Sequence, residues 1–327
     1  MGSKSVGKKT KIGGQALIEG IMMRGVSKAA MAVRMKDGSI DVEEWALPER
    51  RWYETTPLIR GSVNFVTTLK DGYKCMMKSA EKSGMLDDDG NEEPSKFEKW
   101  LDDKLGDKLT GVIMGVAMVI GVALAVFLFL FVPSYLFTLL QSVVPTDISM
   151  WKATFEGVLK LVMFVAYMAV VAQMKDIRRT YEYHGAEHKT IACYEAGEPL
   201  TAENIRKKTR FHPRCGTSFI IIVLLVSILV YSIVPLEPGA WLGIESTALS
   251  TLLRVVCKLA LLPIVVGIAY ELIRLAGRYD NIVTRIISAP GLWMQRITTR
   301  EPDDSMIEIA VAALTPCLPK DGEDDNW

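Results

Sequence analysis

Histidine is scarce in this chain: three residues in 327, all between 184 and 212. Cysteine is scarce too. The five (Cys75, Cys193, Cys215, Cys257, Cys317) are odd in number and scattered. That excludes a disulfide framework and fits a reducing compartment or membrane burial. Net charge is absent, because 38 basic residues balance 38 acidic ones, so no bulk field argues for nucleic acid. The basic start "KSVGKKTK" is followed by no apolar run, which argues against a cleaved signal peptide. No internal repeat is visible.

What is present is half hydrophobic and yet 23% charged. A soluble domain rarely combines the two; a membrane protein with soluble segments does, because the two populations separate along the chain. Four apolar stretches, 112–132 (ending at Pro133), 153–173, 217–236 and 248–273, are about as long as a helix needs to cross a hydrocarbon core. Loop charge sets their orientation. Segment 174–216 holds nine basic residues (Lys175, Arg178, Arg179, Lys189, Arg206, Lys207, Lys208, Arg210, Arg214), segment 237–247 none, and 141–152 only Lys152. The positive-inside rule then places both termini and 174–216 in the cytosol, as expected of a multi-pass protein of a cytoplasmic membrane. Arg254 and Lys258 within the fourth stretch are a weaker motive for a transporter reading.

The expected fold class is mainly α: a four-helix transmembrane bundle with a small α+β cytosolic N-terminal domain and a cytosolic C-terminal segment. The parts are 1–80, an acidic linker 81–110 with a short helix, a membrane domain 111–276 carrying the loop 174–216, and 277–327. Two β-leaning runs flank Asp37-Gly38, a hairpin signal. "GGQALIEGIMMRG" reads as a strand bounded by glycine turns, with Glu19 and Arg24 as a surface pair or, in a sharper reading, at the metal site described next. From Pro57, expected as a first helical residue, to Ala80, the apolar residues Leu58, Val63, Phe65, Val66, Leu69, Tyr73, Met76 and Met77 recur at a helical period. Core packing is the first expectation for that face and the membrane surface the second. A further helix is expected at 290–300.

The three histidines carry the chemistry. His184 and His188 stand in "HGAEH" and His212 opens "HPRC". On a helix, residues four apart share a face, so His184 and His188 can hold one Zn²⁺, or another divalent transition metal. Glu187 lies beside that face. H-x-x-E-H is the inverted zinc-peptidase pattern, in which the glutamate is the base for a metal-activated water. Gly185 weakens such a helix by about 1 kcal/mol against alanine. A third ligand is needed, and His212, Cys215 and Glu271 are the candidates, with Asp280 slightly further along. A closed four-ligand structural site and a metal-free cluster are the alternatives. Cys75, Cys257 and Cys317 read as packing residues.

These stretches, with "IGGQALIEGIMMRG", "YHGAEHKTIACYE", "HPRCGTSF", "ELIRLAGRYDN" and "LWMQRITTREPDD", resemble the YqhQ family of bacterial membrane proteins over essentially the whole chain. The resemblance implies placement in the bacterial membrane and a predicted metal-dependent enzyme whose site would be His184, Glu187, His188, His212 and Cys215. Two functions follow. One is a metal-dependent hydrolase at the cytosolic membrane surface, with Glu187 as base. The other is a non-enzymatic scaffold or assembly factor with a structural metal. Expected partners are the lipid bilayer and an unknown substrate or protein partner, with a homo-oligomer left open and no nucleic acid.

Overall fold

The computed structural model describes residues 9–49, 51–85, 109–234, 241–244, 246–320 and 323–326. Most of the expected acidic linker and its short helix, the basic start of the chain and part of the loop 237–247 lie outside these residues. Two compact units are present, Met1–Met85 with Phe164–Trp327, and Leu86–Met163.

The larger unit opens with an antiparallel sheet in the order β1 (Gly13–Leu17), β2 (Gly20–Arg24), β3 (Lys28–Arg34), β4 (Ile40–Ala46). The hairpin between β3 and β4 turns at Asp37-Gly38 as expected, with Gly38 at φ 83°. The segment expected to be one strand is two. It folds back at Ile18-Glu19, pairing Leu17 with Gly20. Glu19 there takes φ 49°, a left-handed conformation that favours glycine or asparagine. β2 and β3 are buried on both sides, which explains their unbroken apolar runs. One side packs Ile21, Met23, Ala30 and Ala32 against helices α5 (Lys175–Glu195) and α10 (Asp304–Leu314). The other packs Leu17, Met22, Met31 and Val33 against Cys75 of α1 (Ile59–Lys82).

Helix α1 begins two residues later than Pro57, after Leu58, itself at φ 66°. Its apolar period is present, and the expected packing holds in part: Val63, Phe65, Met76 and Met77 are half-buried, with Met76 against the sheet's core. Gly61, Gly72, Cys75, Ser79 and Ala80 are buried, while Val66, Leu69 and Tyr73 are 57–63% exposed. Small residues win the interior because they allow close approach. A methyl group on Gly61 would stand 2.9 Å from the Gly267 Cα, and one on Gly267 2.5 Å from the Leu58 carbonyl oxygen.

Among the described residues, four helices are long and apolar enough to cross a membrane: Val119–Val143, Ser149–Val171, Gly216–Ile233 and Leu252–Arg278. The last two belong to α7 (Gly216–Ile233) and α8 (Thr247–Arg278), which pack through Ile222, Val226, Val265, Ala269 and Ile273. The first does not end at Pro133. Helix α2 (Leu109–Val126) passes through a π turn (Phe127–Phe131) into α3 (Val132–Val143). A π turn loosens the hydrogen-bond ladder where proline lacks its N–H, so the helix continues. In this smaller unit Ser134 donates to the Glu156 carboxylate of α4 (Lys152–Val171) at 2.7 Å. Beyond α8, Asn281 caps α9 (Ile282–Thr298) by accepting from the Thr284 amide, and Asp303 caps α10 by accepting from that of Met306. The short α6 (Ala202–Arg206) follows α5.

Candidate metal centre

The H-x-x-E-H residues lie in the middle of α5, where Glu187 and His188 are buried and His184 is half-buried. Gly185 has a reason to be there. A Cβ at that position would meet the Arg300 carbonyl oxygen at 1.9 Å, so the chain after α9 crosses directly over a bare stretch of helix. Cys215 is the N-cap of α7. It is brought across by the loop after α6, and Gln295 of α9 clamps that loop. The fully buried Gln295 amide accepts from His212 N at 2.7 Å and donates to the His212 carbonyl at 2.7 Å and to Ser218 Oγ at 2.8 Å.

His184, His188 and Cys215 each direct one ligand atom to a common point, all within 4.8 Å of one another. His184 Nε2 lies 3.2 Å from Cys215 Sγ. His184 Nδ1 meets the Thr298 carbonyl at 2.8 Å, and His188 Nδ1 meets that of Arg210 at 2.6 Å. A carbonyl only accepts, so each Nδ1 carries a proton and each Nε2 is left to ligate. Two imidazole nitrogens and a sulfur are a zinc-type donor set. Beside them, Glu187 Oε2 is buried and has no hydrogen-bond partner, and the Gly14 amide faces its carboxylate. A side chain at Gly14 would strike the Glu187 Cδ at 2.9 Å, which explains one glycine of the first motif.

The electrostatics favour a charged centre. Burial opposes ionisation of Cys215, but His184 and His188 outweigh it and hold the thiol well below its usual range. Burial likewise opposes charge on His184. The Cys215 sulfur, by charge and hydrogen bond, outweighs that and lifts its pKa to about 9. Glu187 is pushed up by burial, against the pull of the two histidines.

The other candidates stand elsewhere. His212 is next to His188, with ring centroids 5.5 Å apart, but outside the convergent set. Its Nε2 faces Arg214 at 3.2 Å and Glu195 at 3.8 Å. Burial, opposed by Glu195 and aided by the Arg214 charge, pushes it down to about 4. Glu271 is turned toward α1 instead. Its carboxylate accepts from Arg60 Nε at 2.7 Å and Nη2, and from the Leu58 amide at 3.3 Å. Asp280 is exposed and pairs with Arg285. Glu19 and Arg24 neither pair with each other nor reach the centre. Glu19 binds Arg179 and the Tyr183 hydroxyl, and Arg24 binds Asp71 at 3.2 Å. Gln295, Thr298 and Gly14 were missed as parts of the site. The only sequence signal for the first two was a polar pair inside an amphipathic helix.

A family profile described as "Protein of unknown function (DUF1385)" matches residues 56–320. "Uncharacterized protein YqhQ" of Bacillus subtilis (strain 168) is 32% identical over 310 residues, 94% of this chain and 92% of the relative. No solved structure matches.

Proposed function

Because the chain belongs to the DUF1385 family, whose description assigns no activity, we propose a function from the site's own geometry: a zinc-dependent hydrolase of the bacterial cytoplasmic membrane. The observation that carries it is the convergence of two carbonyl-oriented imidazoles and the Cys215 thiolate beside a buried carboxylate with an unpartnered oxygen. Three protein ligands are the pattern of catalytic zinc, which keeps one position open, where structural zinc takes four. Zinc held there supplies Lewis acidity and a water acidic enough to act at neutral pH. Glu187, with one buried carboxylate oxygen left without a partner, is the group that would accept a proton there. The carbonyls of Thr298 and Arg210 hold the two rings in place. The nine basic residues of 174–216 support a cytosolic position for the site and for both termini.

A second reading, a membrane scaffold with a structural metal, has one observation in its favour: Glu187 is buried deeply enough to serve as a fourth ligand. Elemental mass spectrometry of purified wild type, the His184→Ala/His188→Ala double variant and Glu187→Gln separates the two. The hydrolase reading expects near-stoichiometric metal in wild type, none in the double variant, and full metal with lost complementation of a chromosomal deletion in Glu187→Gln. Metal lost together with Glu187 selects the scaffold. Metal-free, folded wild type ends both.

A further inference from the structure

A cleft of about 290 Å³ opens beside the metal centre, with Cys215, Gly14 and Gly216 on its inner side. Its walls differ in kind. One is apolar, built of Phe65 from α1, Phe219 from α7, and Tyr270 and Ile273 from α8. The three rings are in contact, Phe65–Phe219 tilted at 5.6 Å and Phe219–Tyr270 T-shaped at 6.5 Å. Phe219, Tyr270 and Ile273 belong to helices apolar enough to cross a membrane, so this wall continues a surface suited to lipid. The rest of the lining includes three cations, Lys11, Arg24 and Arg214, and one carboxylate, Asp71. Arg214 is fixed by Glu195. Lys11 and Arg24 pair with half-exposed or exposed carboxylates, Lys11 also donating to the Asp324 carbonyl, and such pairs are weak enough to be exchanged for a stronger anion. At Gly13 and Gly216 a Cβ would find open space, so bare backbone faces the cleft.

We propose that this cleft binds an anionic phospholipid, its headgroup against Lys11, Arg24 and Arg214 and its first chain carbons along Phe65, Phe219 and Tyr270. A small water-soluble substrate leaves the aromatic wall unused, and a neutral apolar one makes no use of Lys11 and Arg24, whose exposed pairs an anion can exchange. The volume suits a headgroup and glycerol region, at the lower end of ligand pockets, while the chains remain in the bilayer. The inference rests on the hydrolase reading only for the fate of the lipid, whose ester region lies toward Cys215 and Glu187. Binding stands without turnover.

The test is native mass spectrometry of full-length Glu187→Gln protein in neutral detergent, titrated with dioctanoyl phosphatidylglycerol. Dioctanoylglycerol, glycerol phosphate and an uncharged apolar 20-residue peptide run in parallel. One phosphatidylglycerol per chain is expected, with each comparison ligand at least tenfold weaker. Arg24→Gln should weaken it about tenfold by removing a charge-assisted contact, and Phe65→Ser severalfold. Asp71→Asn, which frees Arg24, should tighten it, and Arg285→Gln, a charge loss outside the cleft, should change nothing. Unchanged metal content shows that each variant is folded. Equal binding of dioctanoylglycerol, preference for the peptide, or equal effects of Arg24→Gln and Arg285→Gln overturns the proposal. Wild type that binds the lipid and leaves it intact refutes hydrolysis of it and keeps the site. Wild type that cleaves another substrate and binds no phosphatidylglycerol refutes the site alone.

Discussion

Replacing Gly185 with alanine pits local propensity against packing. In an isolated helix the change stabilises by about 1 kcal/mol. Here the new methyl carbon would lie 1.9 Å from the Arg300 carbonyl oxygen, where a relaxed contact needs about 3.5 Å, so helix or strap must shift by roughly 1.5 Å. The strap is not free to yield. The Arg300 amide donates to the Tyr181 carbonyl at 2.8 Å, and two residues earlier the Thr298 carbonyl takes the proton of His184 Nδ1. Overpacking against backbone costs about 1–3 kcal/mol, and at the upper end of that range, which a fixed backbone oxygen demands, the net loss is about 2 kcal/mol. At about 2–4 °C per kcal/mol for chains of some 200 residues, Tm should fall several degrees. The displaced Thr298 carbonyl should also release the His184 ring and lower metal occupancy. Thermal unfolding in detergent and elemental analysis of the same samples read both. A Gly185→Ala protein with Tm at or above wild type and full metal would refute the close crossing and its link to His184.

Glu271→Gln should keep its metal, since the carboxylate serves Arg60, and lose about 1–3 kcal/mol of stability from the weakened, partly buried pair; metal loss would restore Glu271 as a ligand. His212→Ala should likewise retain near-stoichiometric metal by elemental analysis while melting at lower temperature, because the ring is buried beside the triad and not in it. Gly267→Ala should cost about 1–3 kcal/mol in detergent unfolding, because its methyl meets the Leu58 carbonyl at 2.5 Å. A chelator should lower the Tm of wild type and leave that of the His184→Ala/His188→Ala variant unchanged, through loss of the binding contribution to stability.

What could be read in advance was local. The i, i+4 spacing of His184 and His188 puts them on one face whatever the fold, and Asp37-Gly38 carries its turn chemistry in two residues. The four spans follow from length and apolarity alone. Which of His212, Cys215 and Glu271 would join the histidines depended on where distant segments return, and spacing does not encode that. The turn at Ile18-Glu19 has no glycine or asparagine to announce it. Its positive φ is sustained by Arg179, some 160 positions away. For α1, periodicity marked two faces without saying that small residues would be the fully buried ones while Val66, Leu69 and Tyr73 stayed exposed. Gly14 and Gly185 looked like weaknesses or turn markers, and each is a place where another part of the chain passes at contact distance.

The pairing of Thr10 with Asn326, reinforced by Thr10 Oγ1 donating to Asp325 at 2.9 Å, also sets an order of events during synthesis. At about 5–20 residues per second, some 300 residues separate these partners by roughly 15–60 s. Within that interval all four apolar helices are made, and α1 arrives early to cover one side of the sheet. The other side, with Ile21, Met23, Ala30 and Ala32, waits for α5 and, last, for α10. A ribosome stalled before residue 304 therefore holds a chain whose four apolar helices are made but whose sheet still lacks α10. Quality control of this protein then becomes a question of what shelters those strands meanwhile.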